Sequence, residues 1–115
     1  MAQTQIIDTS TFHDYVGNNK AEVEFMINLF TEQSSTYYTE LEIAYTHDDT
    51  IEWHDVAHKL KGMALFTGAH QLHQTCTTAQ DSYQSSKQDK FLLLKKIETD
   101  IEKTISFFKH YQEGE

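Results

Sequence analysis

The sequence contains no arginine and no proline, and its 115 residues include only four glycines and one cysteine. Turn-rich β-sandwiches and barrels draw on proline and glycine, so their scarcity disfavours an all-β fold and favours long helices. The single cysteine, Cys76, cannot form an internal disulfide, which is typical of a reducing compartment. No apolar run approaches the roughly 20 residues that cross a bilayer. These absences predict an all-α protein without a membrane-spanning segment.

Positive charge is scarce as well. Nine lysines stand against eighteen aspartates and glutamates, and the formal net charge is −9 with histidine neutral. Binding to a phosphate backbone normally requires a basic patch in which arginine is prominent, and an anionic membrane surface would repel this chain. The first residues, MAQTQIID, lack the basic and apolar regions of a secretory signal. We therefore expect a cytoplasmic protein that binds neither nucleic acid nor membranes.

What the sequence does contain is enough apolar side chains for one core. Hydrophobic residues make up 38% of the chain and aromatic residues 12%, in a length that suits one domain. We predict a single domain over residues 1–115, in which the polar residues 1–8 are loosely held. Apolar residues recur at spacings of four and three, which is the helical period. The predicted helices are a short one before residue 17, then about 20–46, 50–67, 69 to the polar turn at 85, and 89–111.

The predicted helix ends carry recognisable signals. Asp49, with Glu52 three residues later, resembles a capping box, and Gly68 offers the left-handed conformation that ends a helix. Four amphipathic helices with short links predict an antiparallel up-down-up-down four-helix bundle with a short additional N-terminal helix. Because the apolar stripes can cover one another within one chain, we expect a monomer. In the last helix, the residues predicted to face inward are Leu94, Ile97, Ile101, Ile105 and Phe108.

The helix at 50–67 is the most informative segment. At about 100° per residue, one apolar stripe centres on Leu60, and His58 falls about 160° away from it. The period therefore places His58 in water, with Gly62 one turn further along. A glycine inside a helix costs roughly 1 kcal/mol relative to alanine, so either tight packing or the approach of another molecule is expected at Gly62. The stripe consists of Trp53, Val56, Ala57, Leu60, Met63, Ala64 and Thr67.

The residues around His58 suit an anionic, partly apolar partner. Lys59 and Lys61 lie on either side of it and would attract a dianion placed on the imidazole. His54 lies one turn before His58, and the outward-facing Leu65 offers a partner apolar surface. The same pattern is also compatible with an ordinary solvated helix face.

The segment around His58 resembles the signature of the histidine-containing phosphotransfer (HPt) domain. That signature reads Ala-His-x-Leu-Lys-Gly-x-Ala, then Gly-Ala, then Leu and often Cys. One departure is Ala79-Gln80, where the family often has Leu-Glu, and we expect it to leave the phosphorylation chemistry untouched. The matching positions are Ala57, His58, Leu60, Lys61, Gly62, Ala64, Gly68, Ala69, Leu72 and Cys76.

The resemblance implies roles for individual residues. His58 would be the phosphorylated residue, and a neutral imidazole is a competent nucleophile near neutral pH. Lys61 would steady the phosphoryl oxygens, and Gly62 would keep the approach to the imidazole clear. The implied receiver-docking surface consists of His54, Lys59, Gly62 and Leu65.

The resemblance also implies the partners. They are the receiver domains of response regulators and a hybrid sensor histidine kinase, and the chain would carry a phosphoryl group between receiver aspartates through His58. No GxxxxGK[ST] run is present, so the chain is expected to be a carrier without kinase activity of its own. It needs no cofactor, because the receiver domain would supply Mg²⁺.

Two other interpretations remain open at this point. His54 and His58 are spaced to share a metal ion, to which His70 and His73 could add ligands, although a bundle metal site uses inward-facing side chains. Alternatively, the chain could be a docking-only helical module that binds a receiver domain without phosphotransfer.

Overall fold

A computed structural model describes residues 20–114, and the side chains as far as residue 110. This part of the chain consists of four helices and contains no β-strand. The predicted short N-terminal helix and the residues 1–8 lie outside the described part. The helices are α1 (Lys20–Thr46), α2 (Thr50–Thr67), α3 (His70–Asp81) and α4 (Lys87–Gly114).

The four helices form a closed ring around one core. Helix α1 packs against α2 and α4, and α3 packs against the same two helices. Consecutive helices are joined by short turns and therefore run antiparallel. This arrangement confirms the predicted up-down-up-down bundle for the described part of the chain. None of these four helices combines the length and the apolar content needed to cross a membrane.

Two predicted boundary signals flank α2. The Asp49 side chain accepts a hydrogen bond of 3.0 Å from the backbone N–H of Glu52, which caps the helix. The reciprocal half of a capping box is not needed, because the N–H of Asp49 donates to the carbonyl of Ala44 at 2.9 Å. At the other end, Gly68 has φ 78° and ψ 15°, the left-handed conformation that glycine adopts most easily.

The apolar stripe of α2 forms the centre of the core. Six of the seven stripe residues are buried, and the seventh, Met63, is half-buried and packs against the core. Trp53 is completely buried, and its indole Nε1–H donates to the carbonyl oxygen of Ala79 at 2.8 Å. This hydrogen bond satisfies the one polar group of the largest core side chain and fixes α2 against α3.

Helix α4 buries one residue that the prediction did not include. Ile105 was expected to face inward and is half-buried against the core, while Thr104 beside it is completely buried. Both positions lie three or four residues from Ile101 and from Phe108, so the helical spacing alone does not select the more deeply buried one. The Thr104 hydroxyl is satisfied by donating to the carbonyl oxygen of Asp100 at 2.7 Å, so its burial leaves no polar group unpaired.

Asp100 is a buried carboxylate that the sequence analysis did not identify. Its side chain accepts hydrogen bonds from the Thr75 hydroxyl at 2.6 Å and from the Gln71 amide at 3.1 Å. Both donors belong to α3, so this network connects α4 to α3 beneath the surface. Together with the Trp53 indole, it fixes α3 on both of its neighbours.

Candidate functional site

His58 is exposed near the middle of α2. Its neighbours Ala57 and Leu60 are completely buried, so the side chain of His58 points away from the core. The helical period predicted this exposure, and the structure agrees. The exposed imidazole is available to another molecule without any rearrangement of the bundle.

The imidazole of His58 has one partner from another helix, which is Gln80 in the last turn of α3. The Nδ1 atom of His58 lies 3.4 Å from Oε1 of Gln80. Gln80 is held at this position because Ala79, directly before it, is buried and bound to the Trp53 indole. Gln80 belongs to the Ala79-Gln80 departure that the sequence analysis set apart from the phosphorylation chemistry, and the structure places its side chain against the imidazole.

His54 contacts the other end of the same amide. Its Nε2 atom lies 3.4 Å from Nε2 of Gln80, and its Nδ1 atom lies 3.3 Å from Oδ1 of Asp55. The edge of its ring packs on Tyr83, with ring centroids 5.3 Å apart. His54 is thus held on the α3 side of His58, in contact with the side chain that also holds the imidazole.

A groove between α1 and α2 opens on the other side of His58. It has a volume of about 360 Å³, and His58, Lys59 and Gly62 lie along one wall. A Cβ atom built on Gly62 would meet no atom within 4 Å, so packing inside this bundle does not require a glycine there. The other side chains that line the groove include Met26, Phe30, Gln33, Tyr37, Met63 and Phe66.

The two lysines lie on different sides of His58. Lys59 is exposed and lines the groove, whereas Lys61 is half-buried on the side of α3. The pKa of His73, on α3, is lowered by burial and further by the positive charges of Lys61 and His70. The interaction with His73 places the Lys61 ammonium near α3, so positive charge stands on both sides of the imidazole.

Leu65, like His54, is a predicted docking residue that does not line the groove. Its side chain is 57% exposed, as the helical period requires, but Phe66 lines the groove instead. The structure therefore brings His58, Lys59 and Gly62 together on one wall, with Lys61 and His54 toward α3. The contribution of α1, and of Gln80 from α3, was missed because nothing in the sequence pairs these residues with His58.

The metal-site interpretation finds no support in the arrangement of the histidines. Within residues 20–114, no three or more histidine, cysteine, aspartate or glutamate side chains are grouped so that they could hold a metal ion. One nitrogen of His54 and one of His58 face the amide of Gln80.

The comparisons with known proteins agree with this geometry. Residues 26–104 match the model of the Hpt domain family. The fold is similar to the crystal structure of histidine-containing phosphotransfer protein B (HptB) from Pseudomonas aeruginosa PAO1, with a TM-score of 0.87 and 18% sequence identity. That match covers 98% of this chain and 99% of the other. A comparison with curated protein sequences gives no match.

The family match covers more than half of the chain and includes the whole of α2 and α3. Hpt domains carry a phosphoryl group on a histidine in two-component signalling, interact with receiver domains and kinases, and are phosphocarriers rather than kinases. The bundle, the exposed imidazole on α2 and the family match lead to one conclusion: this chain belongs to the Hpt domain family.

Proposed function

We propose that this chain is a phosphorelay intermediate in which His58 accepts a phosphoryl group from the aspartate of one receiver domain and passes it to the aspartate of another. The observation that carries the proposal is the exposed imidazole of His58, which has its Nδ1 atom against Gln80 and an open groove beside it.

The contact with Gln80 selects the nitrogen that reacts. An amide oxygen only accepts hydrogen bonds, so Oε1 of Gln80 requires a proton on Nδ1 of His58. In a neutral imidazole, the lone pair is then on Nε2. Nε2 attacks the phosphorus atom of the aspartyl phosphate in line, the P–O bond to the aspartate breaks, and the carboxylate leaves. The proton stays on Nδ1, where the positive charge that the ring acquires strengthens its hydrogen bond to Gln80.

The charges around His58 suit this transfer. A phosphoryl group in transit spreads negative charge over its oxygens, and nearby cations stabilise it. Lys61 on the α3 side is the residue that we assign to these oxygens, with Lys59 on the groove side. The receiver domain would supply the Mg²⁺, so this chain needs no cofactor of its own.

The groove between α1 and α2 is the surface that we assign to receiver docking. Its wall of Met26, Phe30 and Phe66 is apolar, and Lys59 adds positive charge at its edge. Gly62 keeps the approach to the imidazole free of side chains. The lysines around His58 contrast with the net charge of −9 of the chain, and they would be attracted to the acidic pocket of a receiver domain. His54 and Leu65 flank this surface without lining the groove.

The test is transfer of a radioactive phosphoryl group from a phosphorylated receiver domain. We expect the wild-type chain to acquire an acid-labile, base-stable label, as a P–N bond requires, and His58→Gln to acquire none while keeping its helicity. The matched control is His110→Gln, because His110 is an exposed histidine on α4, which does not pack against α2.

Three results would contradict the proposal or the exposure of His58 on which it rests. Label on the His58→Gln variant would assign the phosphoryl group to another residue. A wild-type chain that binds the receiver domain but never acquires label would identify a docking-only module. Loss of helicity in His58→Gln would show that the side chain supports packing, contrary to its exposure.

A further inference from the structure

We propose that His54, held by Asp55, is a positioning residue that fixes the orientation of the Gln80 amide and thereby the nitrogen of His58 that can attack phosphorus. This inference rests on the proposed function, because it concerns the same imidazole. It assigns His54 a part in the reaction itself, in place of the docking role that the sequence suggested.

By itself, the Gln80 amide can form a hydrogen bond with either tautomer of neutral His58, the Nδ1–H form or the Nε2–H form. If Oε1 faces His58, the proton must be on Nδ1 and the lone pair on Nε2. If the amide rotates by half a turn, its NH₂ group faces His58, and the lone pair must then be on Nδ1. In that second form Nε2 carries the proton and cannot attack. The reactivity of His58 therefore depends on whatever fixes the amide of Gln80.

The carboxylate of Asp55 fixes the orientation of the Gln80 amide through His54. Ionised carboxylate oxygens only accept hydrogen bonds, so Nδ1 of His54, 3.3 Å from Oδ1 of Asp55, must be the donor. Neutral His54 then has its lone pair on Nε2, which lies 3.4 Å from Nε2 of Gln80 and accepts from the amide NH₂ group. This contact leaves Oε1 of Gln80 for His58.

The opposite arrangement places two lone pairs against each other. With the Gln80 amide reversed, neutral His54 would have to donate from Nε2, and its Nδ1 lone pair would face Oδ1 of Asp55. No proton would then lie between the two acceptor atoms of that 3.3 Å contact. For neutral His54, one self-consistent set of donors therefore runs from His58 and Gln80 through His54 to Asp55.

The surroundings of His54 keep it in this place. Its ring lies edge-on to Tyr83, which follows α3 and packs against the core. Gln80 lies in α3, which is anchored by the Trp53 indole and the Asp100 network. Both partners of His54 outside α2 thus belong to α3 and the residues that follow it, a segment that is tied to α2 by the Trp53 indole and to α4 by Asp100.

The first readout is the tautomer of His58, measured from ¹⁵N-histidine NMR spectra of the unphosphorylated chain. We expect the Nδ1–H form in the wild type and a shift toward the Nε2–H form in His54→Phe, which keeps a ring against Tyr83 but has no nitrogen. His54→Glu places an acceptor-only group at the same position and should restore the Nδ1–H form. His110→Phe is the control for a change of histidine content.

The second readout is the rate of phosphoryl transfer from a phosphorylated receiver domain. Loss of one orienting hydrogen bond predicts a decrease of about two- to tenfold in His54→Phe. If His54 acts only through Gln80, the double variant His54→Phe/Gln80→Ala is no slower than Gln80→Ala alone. A purely structural role would instead give additive losses and an unchanged tautomer.

The outcomes separate this inference from the proposed function. If His54→Phe keeps the Nδ1–H form of His58 and the wild-type rate, the inference is wrong, while transfer to wild-type His58 still supports the proposed function. If the wild-type chain accepts no phosphoryl group, the proposed function fails. The NMR spectra then still show whether His54 sets the tautomer, because they do not depend on transfer.

Discussion

At the scale of single residues, burial decides which nucleophilic side chain is available. Cys76 and His58 both carry groups that attack electrophiles, and they lie on neighbouring helices. Cys76 is completely buried, and burial, assisted by the charge of Asp100, raises the pKa of its thiol to about 12. His58 is exposed. The same fold therefore makes the Cys76 thiol unreactive and leaves the His58 imidazole accessible.

We predict that Cys76 does not react with thiol reagents in the native state. The thiolate is the reactive form, and both the raised pKa and the lack of access suppress it. An aromatic disulfide reagent at neutral pH should give one thiol per chain in denaturant and almost none without it. Rapid reaction of the folded chain would show that α3 opens away from the bundle.

Residue positions were predictable from the sequence only where one helix determines them. The period of α2 was sufficient to place His58 in solvent and Trp53 in the core. Gln80 lies 22 residues from His58, and their contact depends on how α3 packs on α2. Asp100 was missed for the same reason, since a carboxylate becomes a core residue only when Gln71 and Thr75 face it.

At the scale of elements, most helix ends follow local signals, although α3 ends at Asp81, before the polar turn predicted at 85. Helices α1 and α2 have the predicted bounds, because Asp49 and Gly68 mark the ends of α2 by their own chemistry. Helix α4 begins at Lys87, two residues before the predicted start, where the Ser86 hydroxyl accepts from the N–H of Asp89. Serine side chains form similar hydrogen bonds in turns, so the sequence alone did not distinguish a helix start at Ser86 from a turn.

The two glycines that bear on α2 should respond in opposite ways to the same substitution. Gly62→Ala should raise the free energy of unfolding by roughly 0.5–1 kcal/mol, because alanine favours the helix and the added Cβ meets no atom. Gly68→Ala should lower it by about 1 kcal/mol, because φ is 78° at that position.

Urea denaturation of both variants and the wild type measures the difference. A loss of stability in Gly62→Ala would mean that the helix needs the glycine for its own packing. Its expected gain in stability would support the idea that the glycine is present for the sake of a partner. In that case, Gly62→Gln should also slow transfer from the receiver domain by crowding His58.

At the scale of the whole molecule, each helix is tied to two others, and buried polar groups contribute to these ties. The Trp53 indole connects α2 to α3, and Asp100 connects α4 to α3. Aromatic packing between Phe30 and Phe108, with ring centroids 5.5 Å apart, joins α1 to α4. Four amphipathic segments were sufficient to predict the overall architecture. These particular contacts between helices depend on the tertiary structure, and no pattern in the sequence indicates them.

Removal of the Asp100 carboxylate should destabilise the whole bundle. Asp100→Ala leaves the Gln71 amide without its acceptor, while the Thr75 hydroxyl can still donate to the carbonyl of Gln71, and we expect a loss of about 2 kcal/mol in the free energy of unfolding. Glu102→Ala removes an exposed carboxylate two residues away and should change the free energy of unfolding by less than about 0.5 kcal/mol. Equal denaturation midpoints for the two variants would contradict a structural role for Asp100.

Stability should also fall at alkaline pH. Burial, assisted by Glu98, Glu42 and Glu102, raises the pKa of Tyr38 from 10.0 to about 12, and the pKa of Cys76 rises from 9.0 to about 12. Both groups keep their protons longer in the native state than in the unfolded state. Between pH 9 and 12 the unfolded chain therefore ionises first, and the free energy of unfolding decreases as pH rises.

Urea denaturation across this pH range checks the sign. Well below pH 9 the two groups are protonated in both states and contribute no slope. Cys76→Ser and Tyr38→Phe remove one titrating group each, and each should flatten the decrease. An unchanged slope in both variants would show that other groups, such as the lysines, control alkaline unfolding.

The exposure of His58 has a consequence for natural variation. Its side chain contributes nothing to the core, so we expect a chain that has lost the imidazole to fold. Under the proposed function, such a chain would still dock on a receiver domain and would act as a dominant inhibitor, because it would compete with the active chain for that partner. Selection on the imidazole and selection on the stability of the bundle would then act on opposite faces of the same helix.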